Sequence, residues 1–222
     1  MTARHVISSI FCSLDDDPAT QNFKDYELIA DSIKFAALNP ICPDFEYANI
    51  FPGEHYRILA GLLKVLKPIK LIDIGTYRGC SARVMLDYSV FEAIVDTFDL
   101  YDYRSFDWTV LKDEDFIFGR LTQHLSDLKD VTEFEKHRDL LESADFIMVD
   151  GPKDDQFEKT FLHLCKRLKP SEHPRWLLID DIKFENMVHL WRAIKSPKLD
   201  ISSFGHFSGT GLVNIQAGLL IE

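Results

Sequence analysis

Residues 70–86 read KLIDIGTYRGCSARVML, and this stretch decides the fold. An apolar, β-like run ends in Asp73, glycines follow at Gly75 and Gly79, and an amphipathic helical pattern begins within two residues. Strand, tight turn and helix in this order make a cradle for a small ligand. Glycine reaches φ > 0 and lets a ligand approach the backbone, while the start of the helix turns N–H groups and its positive dipole end toward the turn.

Outward from that stretch, strand and helix patterns alternate. LIDIG is followed by SARVMLDY, AIVDTFDL by an irregular aromatic and acidic stretch, and LTQHLSDL by EFEKHRDLLES. DFIMVDG then precedes QFEKTFLHLCKRL, and WLLIDDI precedes FENMVHLWRAI. Five β–α alternations imply an α/β fold, a doubly wound, buried parallel sheet with helices on both faces. Two helical stretches, Phe23–Leu38 and His55–Leu66, come before the first strand, separated by a loop marked by Pro40, Pro43 and Pro52. The tail from Lys198 has two β-like pieces, LDISSFG and GLVNIQAGLLI, with a small-residue turn between them, which predicts an antiparallel hairpin at the sheet edge. No repeat or linker divides the 222 residues. One domain is expected, with 1–66 as an N-terminal helical cap region and 67–222 as the core.

The net charge of −11 argues against a general polyanion-binding surface, because nucleic acid and anionic lipid attract clustered Lys and Arg. A small molecule or neutral saccharide is the expected partner, with no nucleic acid and no membrane. Four scattered cysteines, Cys12, Cys42, Cys80 and Cys165, show no zinc-ligand spacing and no disulfide framework. Together with an N-terminus that lacks a basic flank or a cleavage site, they predict a cytoplasmic protein with reduced thiols.

In open parallel sheets, ligands sit beyond the carboxyl ends of the strands, and here an acidic residue stands at nearly every such end. Asp73 follows the first strand, Asp99 the second, Asp127 the third, Asp150 the fourth, and Asp180 with Asp181 the fifth. A single carboxylate of this kind reads as a cap or a solvated group; the series points to a site. The glycines are spaced DxGxxxG, which lacks both the GxGxxG of a dinucleotide turn and the P-loop pattern, so a cofactor without a pyrophosphate is expected.

These segments resemble the class I S-adenosylmethionine-dependent methyltransferases, over roughly 56–194. The resemblance implies a Rossmann-like, mostly parallel seven-stranded sheet with an antiparallel C-terminal strand, and S-adenosyl-L-methionine as cofactor. DIGTYRG looks like the first motif of that family, which places Asp73, Gly75, Thr76, Gly79 and Ser81 around the methionine end. Asp99, ending VDTFD, matches the residue that binds the ribose hydroxyls, and Asp127, ending LTQHLSD, the one near the adenine. Within the family, IGTYRGCSARVM is similar to the catechol type, and ADFIMVDGPKDDQFE with WLLIDDI to the macrocin type of small-molecule and sugar O-methyltransferases. Both use a divalent cation. The matching residues are Asp150, Asp180 and Asp181, a set of oxygen donors that suits Mg²⁺. Lys153 matches the lysine that serves the catechol type as general base. The other reading of Lys153 is a lysine held charged in the acidic loop DGPKDD by Asp154 and Asp155.

The chain departs from both patterns. Pro152 stands where the macrocin type has a further aspartate, Asp181 stands where the catechol type has asparagine, and SEHPR lengthens the approach to the fifth strand. Those departures motivate a rival, a noncatalytic cofactor-binding partner subunit with a methyltransferase fold. Of the histidines, His206 lies in a glycine-flanked turn and is a candidate base or substrate contact, and His55 opens the helix before the first strand and could reach the site; both read first as structural. Trp176 and Trp191 fall in apolar patterns and are expected in the core. The acceptor is left open, as is whether the chain forms a homo-oligomer.

Overall fold

The computed structural model describes residues 19, 22–39, 41, 49, 55–154, 156–202 and 207–222. Two helices come first, α1 (Tyr26–Leu38) and α2 (His55–Leu66), followed by β1 (Lys70–Ile74), α3 (Cys80–Tyr88) and β2 (Ile94–Asp99). A 3₁₀ turn (Tyr103–Ser105) and α4 (Asp113–Ile117) lead to β3 (Leu121–Leu125), α5 (Val131–Lys136) and α6 (Arg138–Ser143). Then come β4 (Phe146–Val149), α7 (Phe157–Cys165), β5 (Trp176–Asp180), α8 (Glu185–Ala193), β6 (Lys198–Asp200) and β7 (Thr210–Asn214).

The strands form one seven-stranded sheet in the order β3-β2-β1-β4-β5-β7-β6. Strands β1 to β5 pair in parallel, and β7 runs antiparallel to both β5 and β6. The chain therefore has the doubly wound, Rossmann-like sheet expected of it, with its antiparallel C-terminal strand inserted between β5 and the edge strand β6.

Alternation along the strands divides the core in two. Leu71, Val95, Met148 and Leu178 face one layer, where they pack with Ile29 of α1, Leu59 and Leu63 of α2, and Met85 of α3. Ile72, Ile147 and Leu177 face the other, against Leu141, Phe161, Leu162 and Trp191. Trp176 and Trp191 are both buried, as expected. Helix α2 thus lies within a layer on the sheet. Each fully buried Leu, Ile or Phe stabilises the fold by about 1.5–3 kcal/mol, so these two layers dominate stability.

Several local expectations changed in the folded chain. The stretch EFEKHRDLLES forms two short helices because His137 leaves helical geometry (φ −101°, ψ 8°), and its ring packs edge-on to Phe98 at 5.0 Å. Strand β7 stops at Asn214, whose side-chain oxygen accepts the Gln216 N–H (3.1 Å) and turns the chain; the last residues contribute only a bridge between Ile194 and Ile221. Residues 101–114 divide in character. Tyr103 and Leu111 are buried, while Tyr101 and Trp108 stay exposed. The turn from β1 to α3 is held by Gly75 (φ 106°) and Gly79 (φ 81°). A Cβ at Gly75 would overlap the carbonyl oxygen of Asp150, so this glycine is what allows the β1 and β4 ends to meet. Gly75→Ala is expected to lower stability by about 2 kcal/mol or more in urea denaturation, through both the clash and the positive φ.

Candidate active site

Period-two alternation carries Asp73, Thr97 and Asp99 onto the face occupied by α1, α2 and α3, at the carboxyl ends of β1 and β2. Asp73 sits at the centre and is fully buried. Its Oδ2 accepts the Thr97 hydroxyl (2.7 Å), Thr97 Oγ1 lies 2.7 Å from Thr76 Oγ1, and Oδ1 has no hydrogen-bond partner among the described residues. Burial pushes the Asp73 carboxyl up to about 7, against the pull of Ser81 and Thr97 and with the help of Asp150 and Asp99.

The turn is tied to β2 from both ends. Phe98 O accepts the N–H groups of Gly75 (2.9 Å) and Thr76 (3.1 Å). Asp99 Oδ2 accepts the Tyr77 N–H (2.7 Å), and Oδ1 accepts those of Leu100 (2.7 Å) and Tyr101 (3.1 Å). A carboxylate takes about four hydrogen bonds, so Oδ2 keeps room for one hydroxyl. Asp127 Oδ1 accepts the Lys129 N–H (3.1 Å) and Oδ2 lies 3.7 Å from Lys129 Nζ.

A cavity of about 600 Å³ opens over this turn. Gly75, Thr76, Ser81, Asp99, Asp127 and Asp150 line it, together with Tyr77, Phe98, Tyr101, Phe106 and Leu128. Gly79 caps α3 behind the turn, where a Cβ would strike Leu111, and Asp73 lies beneath it. Tyr101 and Phe106 come from the loop after β2, where sequence periodicity gave no pattern; Tyr77 belongs to the glycine turn and Phe98 to β2. Polar groups at the ends and apolar groups between them match the anatomy of a small-molecule pocket.

The carboxylates after β4 and β5 form a second group. Val149 pairs with Ile179 in parallel register, so Asp150 and Asp180 follow on adjacent strand ends. Lys153 Nζ donates to Asp150 Oδ1 (2.6 Å) and Gly151 O (2.9 Å) and lies 3.3 Å from Asp181 Oδ2. Burial lowers the Lys153 pKa, but Asp150, Asp180 and Asp181 outweigh it and hold the group above the usual lysine range, as the ammonium. Asp181 is displaced upward by burial and by Asp180, with Lys153 opposing. The charge that holds Lys153 thus comes from Asp150, Asp180 and Asp181; Asp155 and His206 lie outside the described residues.

Two further residues complete this corner. Lys153 has φ 55°, a left-handed conformation, and Glu158 Oε1 accepts its N–H (2.9 Å) while the Asn186 side chain donates to its carbonyl. Glu158 is buried on α7, a charged residue at an apolar helical position, which is the signal that sequence reading passed over. His55 Nε2 lies 3.9 Å from Asp180 Oδ2. His55, Asp150 and Asp180 each offer one ligand atom, and these lie within 4.8 Å of one another. Of the described thiols, Cys80 also lines the cavity; Cys80 and Cys165 are free and buried, and burial pushes the Cys80 thiol up to about 12.

Comparison with solved structures shows the same fold elsewhere. A methyltransferase from Geobacter sulfurreducens superimposes with a TM-score of 0.50 at 15% identity, over 98% of this chain and 99% of that one. Cofactor-bound Rv0187 from MTB gives a TM-score of 0.51 at 12% identity, over 93% and 94% of the two chains. At these identities the likeness is one of fold. No family model matches the chain, and no curated protein matches it. No helix among the described residues is long and apolar enough to cross a membrane.

The Asp73 shift sets a pH dependence. Between the ordinary 3.8 and about 7 the unfolded chain has released this proton while the folded chain retains it, so the Asp73 contribution is complete below the first value. It is lost as pH rises toward the second. Asp73→Asn is expected to gain on wild type by about 4 kcal/mol across this window and to run parallel to it above. Urea denaturation at several pH values checks this; parallel curves throughout would contradict it.

Proposed function

We propose that this chain is an S-adenosyl-L-methionine-dependent O-methyltransferase acting on a hydroxyl of a small molecule or sugar. The observation that carries the reading is the convergence of Gly75, Thr76, Ser81, Asp99 and Asp127 on one cavity that also reaches Asp150. The cavity has the size and mixed lining that a nucleoside joined to an amino acid requires. Asp99 keeps one accepting position for a ribose hydroxyl, and Asp127, which also lines the cavity, is assigned to the adenine end. Asp150, in the lining, supplies negative potential that suits a sulfonium cation. The fold shared with methyltransferases agrees with this but does not carry it.

Methyl transfer is an in-line displacement, and the chain's contribution is to align donor and acceptor and to manage the acceptor proton. Lys153, held by Asp150, Asp181 and Gly151 O, lies beside Asp150, the residue through which the cavity reaches the acidic corner. We assign it a role at the acceptor proton: as the ammonium that the carboxylates hold it orients the acceptor oxygen, and it would become the base once a bound divalent cation takes up the charge of Asp150 and Asp180. Asp150 and Asp180, with Asp181 beside them, are the residues that would hold a divalent cation such as Mg²⁺, and the donor chemistry fits one. Such an ion lowers the pKa of a bound hydroxyl. Free, buried thiols at Cys80 and Cys165 agree with a reducing, cytoplasmic setting.

The test is turnover of cofactor carrying a labelled methyl group with a panel of hydroxylated acceptors. Lys153→Met is expected to lower kcat by about 10²-fold or more, with affinity for S-adenosylhomocysteine held within about threefold because the lysine lies outside the cofactor cradle. Cofactor binding without turnover of any acceptor would instead favour the noncatalytic partner subunit.

A further inference from the structure

We propose that His55, Asp150 and Asp180 form a mixed nitrogen and oxygen site for a divalent first-row transition-metal ion, while Asp181 serves Lys153. The inference rests on the methyltransferase reading of the neighbouring cavity and specifies the cation and its ligands. One atom from each of the three residues lies within 4.8 Å of the others, and Asp181 is not in the converging set. Ligands around a single ion at about 2.0–2.2 Å stand some 3–4 Å apart, so small side-chain adjustments close the site.

The supports are firm on every side. Asp180 ends β5, Asp150 follows β4 in the next register position, and His55 is the first residue of α2, its ring 4.0 Å from that of Tyr56. His55 and Asp180 are 7% and 4% exposed, so the donors are already largely out of water. Charge also points to a cation. Lys153 pairs with Asp150 and Asp181, so carboxylates outnumber the ammonium at the corner where His55, Asp150 and Asp180 converge.

The imidazole changes which ion is preferred. An all-oxygen set suits Mg²⁺, which prefers water and carboxylate, whereas a histidine nitrogen shifts the balance toward Fe²⁺, Co²⁺ or Zn²⁺. Asp181, 3.3 Å from Lys153 Nζ, is then the lysine's counter-ion, which accounts for an aspartate at this position.

The experiment is calorimetric titration of the full chain with Co²⁺ and with Mg²⁺, together with proton NMR of the Co²⁺-loaded protein. Co²⁺ is expected to bind about tenfold or more tightly than Mg²⁺. A strongly shifted, exchangeable imidazole N–H is expected in wild type and absent from His55→Gln. That variant should lose about tenfold or more in Co²⁺ affinity while its weaker Mg²⁺ binding changes by less than about threefold. Because the shifted signal is read in wild type, the test survives a variant that fails to fold. Co²⁺ binding that Asp150→Asn abolishes, but without that N–H, would mean a carboxylate-only site and overturn the proposal. So would absence of binding of either ion. S-adenosylhomocysteine affinity measured on the same samples reports separately whether the methyltransferase reading holds.

Discussion

The structure depends on the parallel register of β1, β4 and β5. With Ile74 opposite Val149 and Val149 opposite Ile179, the three strands end level, and the residues that follow emerge side by side. Alternation then sends Asp73, Asp150 and Asp180 toward the layer that holds α2 and α3. Only a residue without a Cβ fits where the chain leaves β1, because the Asp150 carbonyl lies against Gly75. One packing constraint therefore places the glycine turn, the buried Asp73 and the first carboxylate of the acidic corner together.

That crowding sets the electrostatics. Asp73 meets its burial with a pKa raised to about 7; Asp181 is raised as well, by burial and by Asp180, and shares the Lys153 ammonium with Asp150. Both Lys153 and Asp181 sit at positive φ, 55° and 61°. Such conformations cost of order 1 kcal/mol or more each and persist where surrounding contacts enforce them. For Lys153, Glu158 and Asn186 provide that enforcement from α7 and α8. Strain, desolvation and paired charge thus meet at one corner, as they commonly do where chemistry occurs.

The strand pattern was legible because buried parallel strands write themselves as short apolar runs ending in polar residues, and the run LIDIG next to WLLIDDI and DFIMVDG left little choice. The antiparallel tail was equally readable from two β-like pieces with no helix between them. What escaped were contacts between elements far apart in the chain. Nothing local in HYRILAGLLKVL says that His55 meets Asp180, and nothing in QFEKTF says that Glu158 holds the Lys153 backbone. The break at His137 was hidden for the same reason, since its ring answers to Phe98 on β2. Lys153 shows the limit from the other side: its acidic neighbours in sequence drew attention, yet Asp180 and Asp181, on the next strand end, contribute to holding its charge.

The central claim is that the cavity over Gly75–Gly79 is built for the methyl donor. Calorimetric titration of the folded chain with S-adenosylhomocysteine tests it most directly. Saturable one-to-one binding, weakened about tenfold or more by Asp99→Ala, is the result expected of a ribose-binding carboxylate. Folded protein that takes up no S-adenosylhomocysteine would contradict the account at its root.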